Sequence, residues 1–230
     1  MVYADTINLH WLNDDGTTYE NSTCVIDSDL ILPSTPPTKY GYTFTGWKIG
    51  NYIPIEYLEG TGTQWIDTGT LPTSTQKWVV GLLLDNFSDP NLFGASGPNG
   101  YRYVIGGLDR KLAYNFNKQW VKIGDFTVSV LQKLTIDIKN KQIYLNDTFI
   151  SNIATVSTPP NQNIYLFLDS TAIGATRGKL YYAKIYENDV LIRDFIPVLD
   201  FNGIPCMYDK VENKFYYNQG TGNFIAGPTL

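Results

Sequence analysis

The sequence contains few of the residues that catalytic and metal sites depend on. It has one histidine, His10, and two cysteines, Cys24 and Cys206, in 230 residues. The cysteines are far apart and match no metal or redox spacing, so we expect two free thiols, with a disulfide between them left open. A Ser-His-Asp catalytic site would need His10, which lies near the start of the chain, outside residues 51–230. Alternation in "TINLHWL" instead places that side chain on the wetter face of a strand.

Charged residues are also scarce. They make up 17% of the chain, and the formal net charge is −5. The basic residues are scattered, so no stripe exists that would neutralise a run of phosphates, which excludes nucleic acid as a ligand. No stretch approaches about 18 apolar residues, which excludes membrane insertion. The opening residues lack the basic and apolar regions of a Sec signal. We therefore expect either that the sequence has been shortened at its start or that the protein reaches the outside by another route, such as assembly into a virus particle.

A glycine-rich stretch, "YLEGTGTQWIDTG" at 57–69, resembles a phosphate-binding loop only superficially. Such a loop needs a lysine followed by Ser or Thr and then a helix, and neither follows here. A short β-prone run closed by glycine follows instead, and a second Gly-Thr-Gly stands at 220–222. We interpret both as tight turns feeding the first and last strands of a sandwich, which we expect to lie side by side.

Period-two alternation is the main pattern after residue 52. No helical period longer than two turns is present, and strand-like runs recur at short intervals, as in a β-sandwich. Asn140-Lys141 and Glu187-Asn188-Asp189 are predicted to close two hairpins. The predicted strands are 77–84, 101–107, 111–116, 126–131, 133–140, 141–147, 163–170, 179–188 and 189–200.

Residues 1–50 form a separate predicted unit. Ile7, Leu9 and Trp11 share one strand face, "NDDG" predicts a turn, and "LPSTPPTKYGYTFTGWKIG" follows, with Tyr42, Phe44 and Trp47 available for a core. This last stretch resembles the internalin B-repeat type of module in Listeria and Bacteroides surface proteins. The resemblance implies a small β-grasp-like fold, and its single copy implies no array.

Residues 51–230 resemble the concanavalin A-like, laminin-G-type jelly-roll domains of gut bacterial and phage proteins. The resemblance rests on the opening "YIPIEYLEGTGTQWIDTG" and on a closing segment with "KIY", "RDFIP", "YD" and "FYYNQGTG". Trp65 stands where that family usually has tyrosine. The fold class expected for the whole chain is thus all-β, a concanavalin A-like jelly-roll sandwich preceded by the small module.

Carboxylates are the groups that would carry catalysis in such a fold, since it includes glucanases. Those enzymes place two acids on one strand face in a Glu-x-Asp-x-x-Glu type of run, which is absent. Glu187 and Asp189 fall on a predicted turn, and salt bridges and turn caps account for Asp194, Asp200 and Asp209. We predict a protein that is not an enzyme, with a glycoside hydrolase kept as an alternative.

The sequence offers two candidate ligand sites. Laminin-G-like domains often hold calcium, and Asp85 and Asp89 offer carboxylates for it, but an ordinary Asx-rich loop is favoured and no cofactor is predicted. For a glycan, the best candidates are four aromatic residues among Asn and Asp side chains, although alternation turns about half of them toward the core. The predicted ligand-binding residues are Tyr101, Tyr103, Tyr114 and Trp120.

The function predicted from these observations is that of a non-enzymatic virion protein of a phage, as a head fibre, capsid decoration or tail appendage. Its expected partners are other virion proteins and host-surface or mucus glycans, and its expected location is the virion. A secreted bacterial surface adhesin or lectin is the first alternative. A homo-oligomer is compatible with either function, because fibres and decorations are symmetric.

Overall fold

The computed structural model describes residues 6–12, 18–25, 31–41, 43–44, 52–85, 91–97, 102–167 and 177–230. Within these ranges the secondary structure is entirely β, with no helix and hence none that is long and apolar enough to cross a membrane. The strands are β1 Thr6–Leu12, β2 Thr18–Val25, β3 Tyr52–Pro54, β4 Leu58–Thr61, β5 Ile66–Asp67, β6 Gln76–Leu84, β7 Asn91–Ser96, β8 Arg102–Leu108, β9 Lys111–Asn115, β10 Val121–Gly124, β11 Gln132–Asp137, β12 Gln142–Leu145, β13 Thr148–Asn152, β14 Tyr165–Leu166, β15 Arg177–Glu187, β16 Val190–Asp200, β17 Pro205–Asp209, β18 Lys214–Tyr216 and β19 Ile225–Ala226.

Two antiparallel sheets pack as a sandwich. The smaller sheet has six strands in the order β10-β9-β8-β7-β14-β5. The larger has eleven, with the path β13-β12-β11-β6-β15-β16-β17-β18, and β3, β4 and β19 pair alongside it. The prediction of an all-β fold with two antiparallel sheets packed as a sandwich is confirmed.

Two-residue turns join several neighbouring strands. Asn188 and Asp189 connect β15 to β16 with φ angles of 50° and 68°. Asn146 and Asp147 connect β12 to β13 with similar positive values. Left-handed backbone at both central positions matches the twist of paired strands, and Asn and Asp tolerate it better than most residues. Both hairpins predicted from the sequence, β11–β12 and β15–β16, are confirmed.

The core lies between the two sheets and is filled by alternate residues of each strand. On β6, Trp78, Val80, Leu82 and Leu84 are buried, while the residues between them are half-exposed except for Gly81. From the smaller sheet, Phe93, Tyr103, Ile105 and Phe116 are buried in the same cluster. This division assigns the odd-numbered residues of β6 to the outer surface of the large sheet, where the candidate site lies.

The first and last strands of the sandwich are neighbours, as predicted. Ile225 and Ala226 pair with Glu59 and Leu58, and Ile55 forms a bridge with Thr229. The two Gly-Thr-Gly turns also meet, because the amide of Thr221 donates to the carbonyl oxygen of Thr63 at 3.1 Å. The glycine-rich stretches are therefore architectural.

The strand predicted at 126–131 is wrong. Residues 125–131 form a loop, in which Val128, Val130 and Leu131 are exposed. Their alternation with polar residues is typical of a half-buried strand, but these residues do not pair with any strand that the structure describes. Several strands were not predicted, among them β7, β10, β13, β17 and β18. Of these, β10 and β13 are sheet edges with weak apolar patterns.

In the first fifty residues the structure describes one antiparallel ribbon, β1–β2, which agrees with the strand predicted over Ile7 to Trp11. Trp11 is buried and its indole nitrogen donates to the Ser22 hydroxyl at 2.9 Å, while Phe44 is exposed. The "NDDG" turn, Tyr42, Trp47 and the side chain of His10 lie outside the described residues. The division of the chain at residue 50 stays a prediction.

Candidate functional site

The outer face of the large sheet contains a groove of about 480 Å³. It runs over the central strands β11, β6 and β15, with one side chain from the β12–β13 turn. Its lining combines lysines, tyrosines and small β-branched residues: Lys77, Val79, Lys133, Thr135, Asp147, Tyr182, Lys184 and Tyr186.

Strand register explains why these side chains meet. Val79 stands opposite Thr135 on one side and Lys184 on the other. Gly81 stands opposite Lys133 and Tyr182 in the same way. Directly paired residues project to the same face of a sheet, so two rows of side chains cross the groove perpendicular to the strands.

Two tyrosines of β15 give the groove its aromatic surface. The ring of Tyr182 lies over Gly81, where an added Cβ would be 2.4 Å from the ring atom Cε1. Partial burial raises the pKa of Tyr182 above its ordinary value, so its hydroxyl is a neutral donor and acceptor at neutral pH. Tyr186 has Lys77 Nζ at 4.7 Å from its ring centroid.

Each lysine of the groove has a carboxylate nearby. Lys133 Nζ is 2.7 Å from Asp147 Oδ1, and this hydrogen bond raises the pKa of Lys133. Lys184 Nζ is 3.3 Å from Asp194 Oδ1. Ammonium and carboxylate groups side by side supply both donors and acceptors, which is what sugar hydroxyls require.

A second aromatic cluster lies on the same outer face, over β3, β16, β17 and β18. Tyr52 and Tyr208 have ring centroids 4.4 Å apart, and Tyr208 and Phe215 are 5.1 Å apart. These rings pack with Ile196 and Val198 in a small apolar cluster separate from the main core. The outer face is therefore polar at its centre and aromatic at this flank.

Of the ligand-binding residues predicted from sequence, the three that the structure describes do not share an exposed surface. Tyr103 is fully buried and its hydroxyl donates to the carbonyl oxygen of Ser157 at 2.6 Å. Tyr114 is also in the core, Trp120 is half-buried, and Tyr101 lies outside the described residues. Neither Tyr103 nor Tyr114 presents a ring face to solvent, so a direct role for either is at odds with its burial. Binding at Tyr101 or Trp120 stays a prediction.

The groove residues had a signal in the sequence that was not used. All of them except Asp147 are alternate residues of three runs, "QKWVV", "QKLTI" and "YAKIY". Alternation shows that these residues face away from the core. It does not show that the three runs are adjacent, which only the strand order reveals.

The acids singled out in the sequence have the structural roles predicted for them. Buried Asp209 accepts hydrogen bonds from the amides of Asp194 and Val211 at 2.8 and 3.0 Å. Asp200 caps its turn by accepting from the amides of Asn202 and Ile204. Asp194 is paired with lysines on both sides.

The predicted calcium loop lies only partly within the described chain. Asp85 is exposed at the end of β6, and Asp89 lies outside the described residues. Among the residues that the structure describes, no group of three His, Cys, Asp or Glu side chains is placed to hold a metal. Both cysteines are described, and each is a thiol rather than half of a disulfide. Burial raises the pKa of the Cys206 thiol to about 12.

Comparison with known proteins places the fold but not the family. No protein-family model matches the chain, and no curated protein matches it. Among solved structures, the chain is similar to that of a putative carbohydrate-binding protein from Bacteroides ovatus, with a TM-score of 0.52 at 13% sequence identity. The match covers 76% of this chain and 60% of the other, so the chain spans less than two thirds of the protein it resembles. At this identity the likeness concerns the β-sandwich fold alone.

Proposed function

We propose that the protein is a non-enzymatic carbohydrate-binding module that holds a glycan in the outer-face groove of its large sheet. The observation that carries the proposal is the groove itself. Tyr182 and Tyr186 offer apolar ring surface, and the lysines and Asp147 surround the rings with hydrogen-bonding groups. Sugars present the same combination, apolar C–H faces bordered by hydroxyls.

The fold likeness agrees with this proposal. A protein of similar fold from a gut bacterium is described as a putative carbohydrate-binding protein. The motifs at both ends of residues 51–230 support assigning the sandwich to the concanavalin A-like, laminin-G-type jelly rolls. The motif before residue 50 supports a B-repeat type of module there.

A binding role is favoured over hydrolysis by the acids of the groove. Glycoside hydrolysis ordinarily needs two carboxyl groups flanking the scissile bond. Among the described residues that line the groove, Asp147 is the single carboxylate, and it is paired with Lys133. We therefore propose recognition without turnover, and an assay for reducing ends released from the bound glycan tests this.

A bacterial surface adhesin or lectin is the setting we favour, and the virion is the second. The fold likeness to a protein of a gut bacterium favours the first. Similarity of the end motifs to phage proteins favours the second. Immunogold labelling of whole cells and of purified particles distinguishes these locations.

The binding proposal is tested by isothermal titration of a glycan panel against the wild-type protein and two tyrosine variants. Tyr186→Ala removes a ring from the groove and should weaken binding about tenfold. Tyr181→Ala is the matched control, because Tyr181 lies on the same strand, is half-buried and packs against Tyr57 outside the groove. Absence of binding across the panel at millimolar ligand, or equal affinities for the wild type and Tyr186→Ala, would reject the proposal.

A further inference from the structure

The carboxylates around the groove are shared between lysines. Asp189 has Lys139 Nζ at 2.6 Å and Lys77 Nζ at 3.6 Å. Asp194 has Lys184 Nζ at 3.3 Å and Lys210 Nζ at 3.4 Å. In both cases one carboxylate serves two ammonium groups, so neither carboxylate fully neutralises its partners.

Cations outnumber anions in the lining of the groove. Adding the Lys133–Asp147 pair gives five lysines around three aspartates. A fourth acid on this face is Asp137, which is in register with Lys77 and accepts hydrogen bonds from Asn140. The nearest further acid on β15 is Glu187, which accepts hydrogen bonds from the Thr73 and Thr75 hydroxyls and pairs in register with buried Gln76. The charged residues that line the groove itself, Lys77, Lys133 and Lys184 against Asp147, are net positive in a chain whose net charge is −5.

Lys77 and Lys184 are the two lysines of the groove best placed to bind an anionic group together. Lys184 is directly opposite Val79, so Lys77, two residues earlier on β6, is its diagonal neighbour on the same face. Both ammonium groups line the groove, and the distances to their aspartates exceed those of a short charge-assisted hydrogen bond. The Lys77–Asp189 pair is exposed, and exposed ion pairs contribute little stability, so a ligand anion displaces Asp189 from Lys77 at small cost. Asp194 is buried, but it keeps Lys210 as a partner when Lys184 turns to a ligand.

We infer that the glycan bound in this groove is anionic, with a carboxylate or sulfate group seated between Lys77 and Lys184. Tyr182 and Tyr186 contact the sugar ring that bears the group. This inference rests on the proposed function and narrows its ligand to acidic polysaccharides. Uronic acids and sulfated sugars share the recognised chemistry, and the experiment below separates them.

The test compares pairs of polymers that differ only in charge, by isothermal titration at low and high salt. Polygalacturonate against its methyl ester isolates the carboxylate, and dextran sulfate against dextran isolates the sulfate. We expect at least one charged polymer to bind more tightly than its neutral partner, and that affinity to fall several-fold when the salt concentration is raised above physiological. The polymer pair that shows the difference identifies the anion.

Two variants locate the binding. Lys77→Met and Lys184→Met each remove one ammonium group but leave the shared aspartate its second lysine, Lys139 or Lys210, so no carboxylate loses every partner. Each should weaken binding of the charged polymer about threefold. The control is Lys111→Met, an exposed lysine on the smaller sheet that pairs with Asp125.

The outcomes separate this inference from the function it rests on. Equal affinities of the charged and the neutral polymer in both pairs, or failure of both charged polymers to bind, overturns the inference that the ligand is anionic. Binding of a neutral glycan that Tyr186→Ala abolishes would keep the proposed function intact. Unchanged affinity in both lysine variants, with thermal unfolding like that of the wild type, would also overturn the inference.

Discussion

The ring of Tyr182 lies over Gly81, its partner in register on the adjacent strand. A Cβ at position 81 would be 2.4 to 2.9 Å from three atoms of the ring. The glycine therefore lets the tyrosine lie against the sheet surface and form part of the floor of the groove. Aromatic rings often cover glycines in this manner, which shields the exposed backbone from water.

Gly81→Ala should weaken glycan binding about threefold while changing the free energy of unfolding by less than about 1 kcal/mol. The added methyl group pushes away a half-exposed ring, which moves without disturbing the core. Titration and urea unfolding measure the two effects. Gly124→Ala on β10 is the control, because a Cβ there meets nothing within 4 Å. A glycan affinity of Gly81→Ala equal to that of the wild type would show that the position of the Tyr182 ring does not matter for binding.

Gly220→Ala should destabilise the sandwich by about 2 kcal/mol. A Cβ at this position would lie 1.9 Å from the carbonyl oxygen of Thr63, a backbone atom that already accepts from the amide of Thr221. Neither segment can move away without breaking the contact between the two ends of the sandwich. Urea unfolding of this variant beside Gly124→Ala checks the prediction, and similar midpoints for the two would contradict it.

Asp209→Ala should cost about 3 kcal/mol, and Asp209→Asn should cost less. The carboxylate is fully buried, accepts two backbone hydrogen bonds and lies 3.6 Å from Arg193 Nε. Asparagine keeps an acceptor oxygen for the amides but removes the charge that faces Arg193. Denaturant unfolding gives both values, with Asp125→Ala on the surface as the control. Equal costs for alanine and asparagine would show that the hydrogen bonds contribute little.

Alkaline pH should destabilise the fold through Tyr103. Burial raises its pKa from 10.0 to about 12, so its neutral form is favoured in the folded state. The stability it provides is fully present below pH 10 and declines as the pH rises through about 12. Tyr103→Phe removes this titration, so its free energy of unfolding should fall less over that interval. Parallel pH curves for the two proteins, measured by urea unfolding, would refute the assignment.

Alternation predicted most of the strands. It also predicted that about half of the four candidate aromatic side chains face the core, but not which of the four these are. Tyr103 and Tyr114 lie in runs whose aromatic and polar residues alternate, and their burial depends on which face of β8 and β9 meets the opposite sheet. The strand predicted at 126–131 was wrong for a related reason, since alternation does not show whether a neighbouring strand is there to pair with. A period-two pattern describes a strand only where another strand is present to pair with it.

The sequence by itself determined that this protein is built from strands, where the Asn188-Asp189 turn falls, and which residues of "QKWVV" and "YAKIY" avoid the core. These properties depend on neighbours along the chain. Only the tertiary structure decided that β11, β6 and β15 lie side by side and in which register. Strand order arises from pairing between residues far apart in sequence, and that pairing gathers Lys77, Lys184, Tyr182 and Tyr186 around one groove.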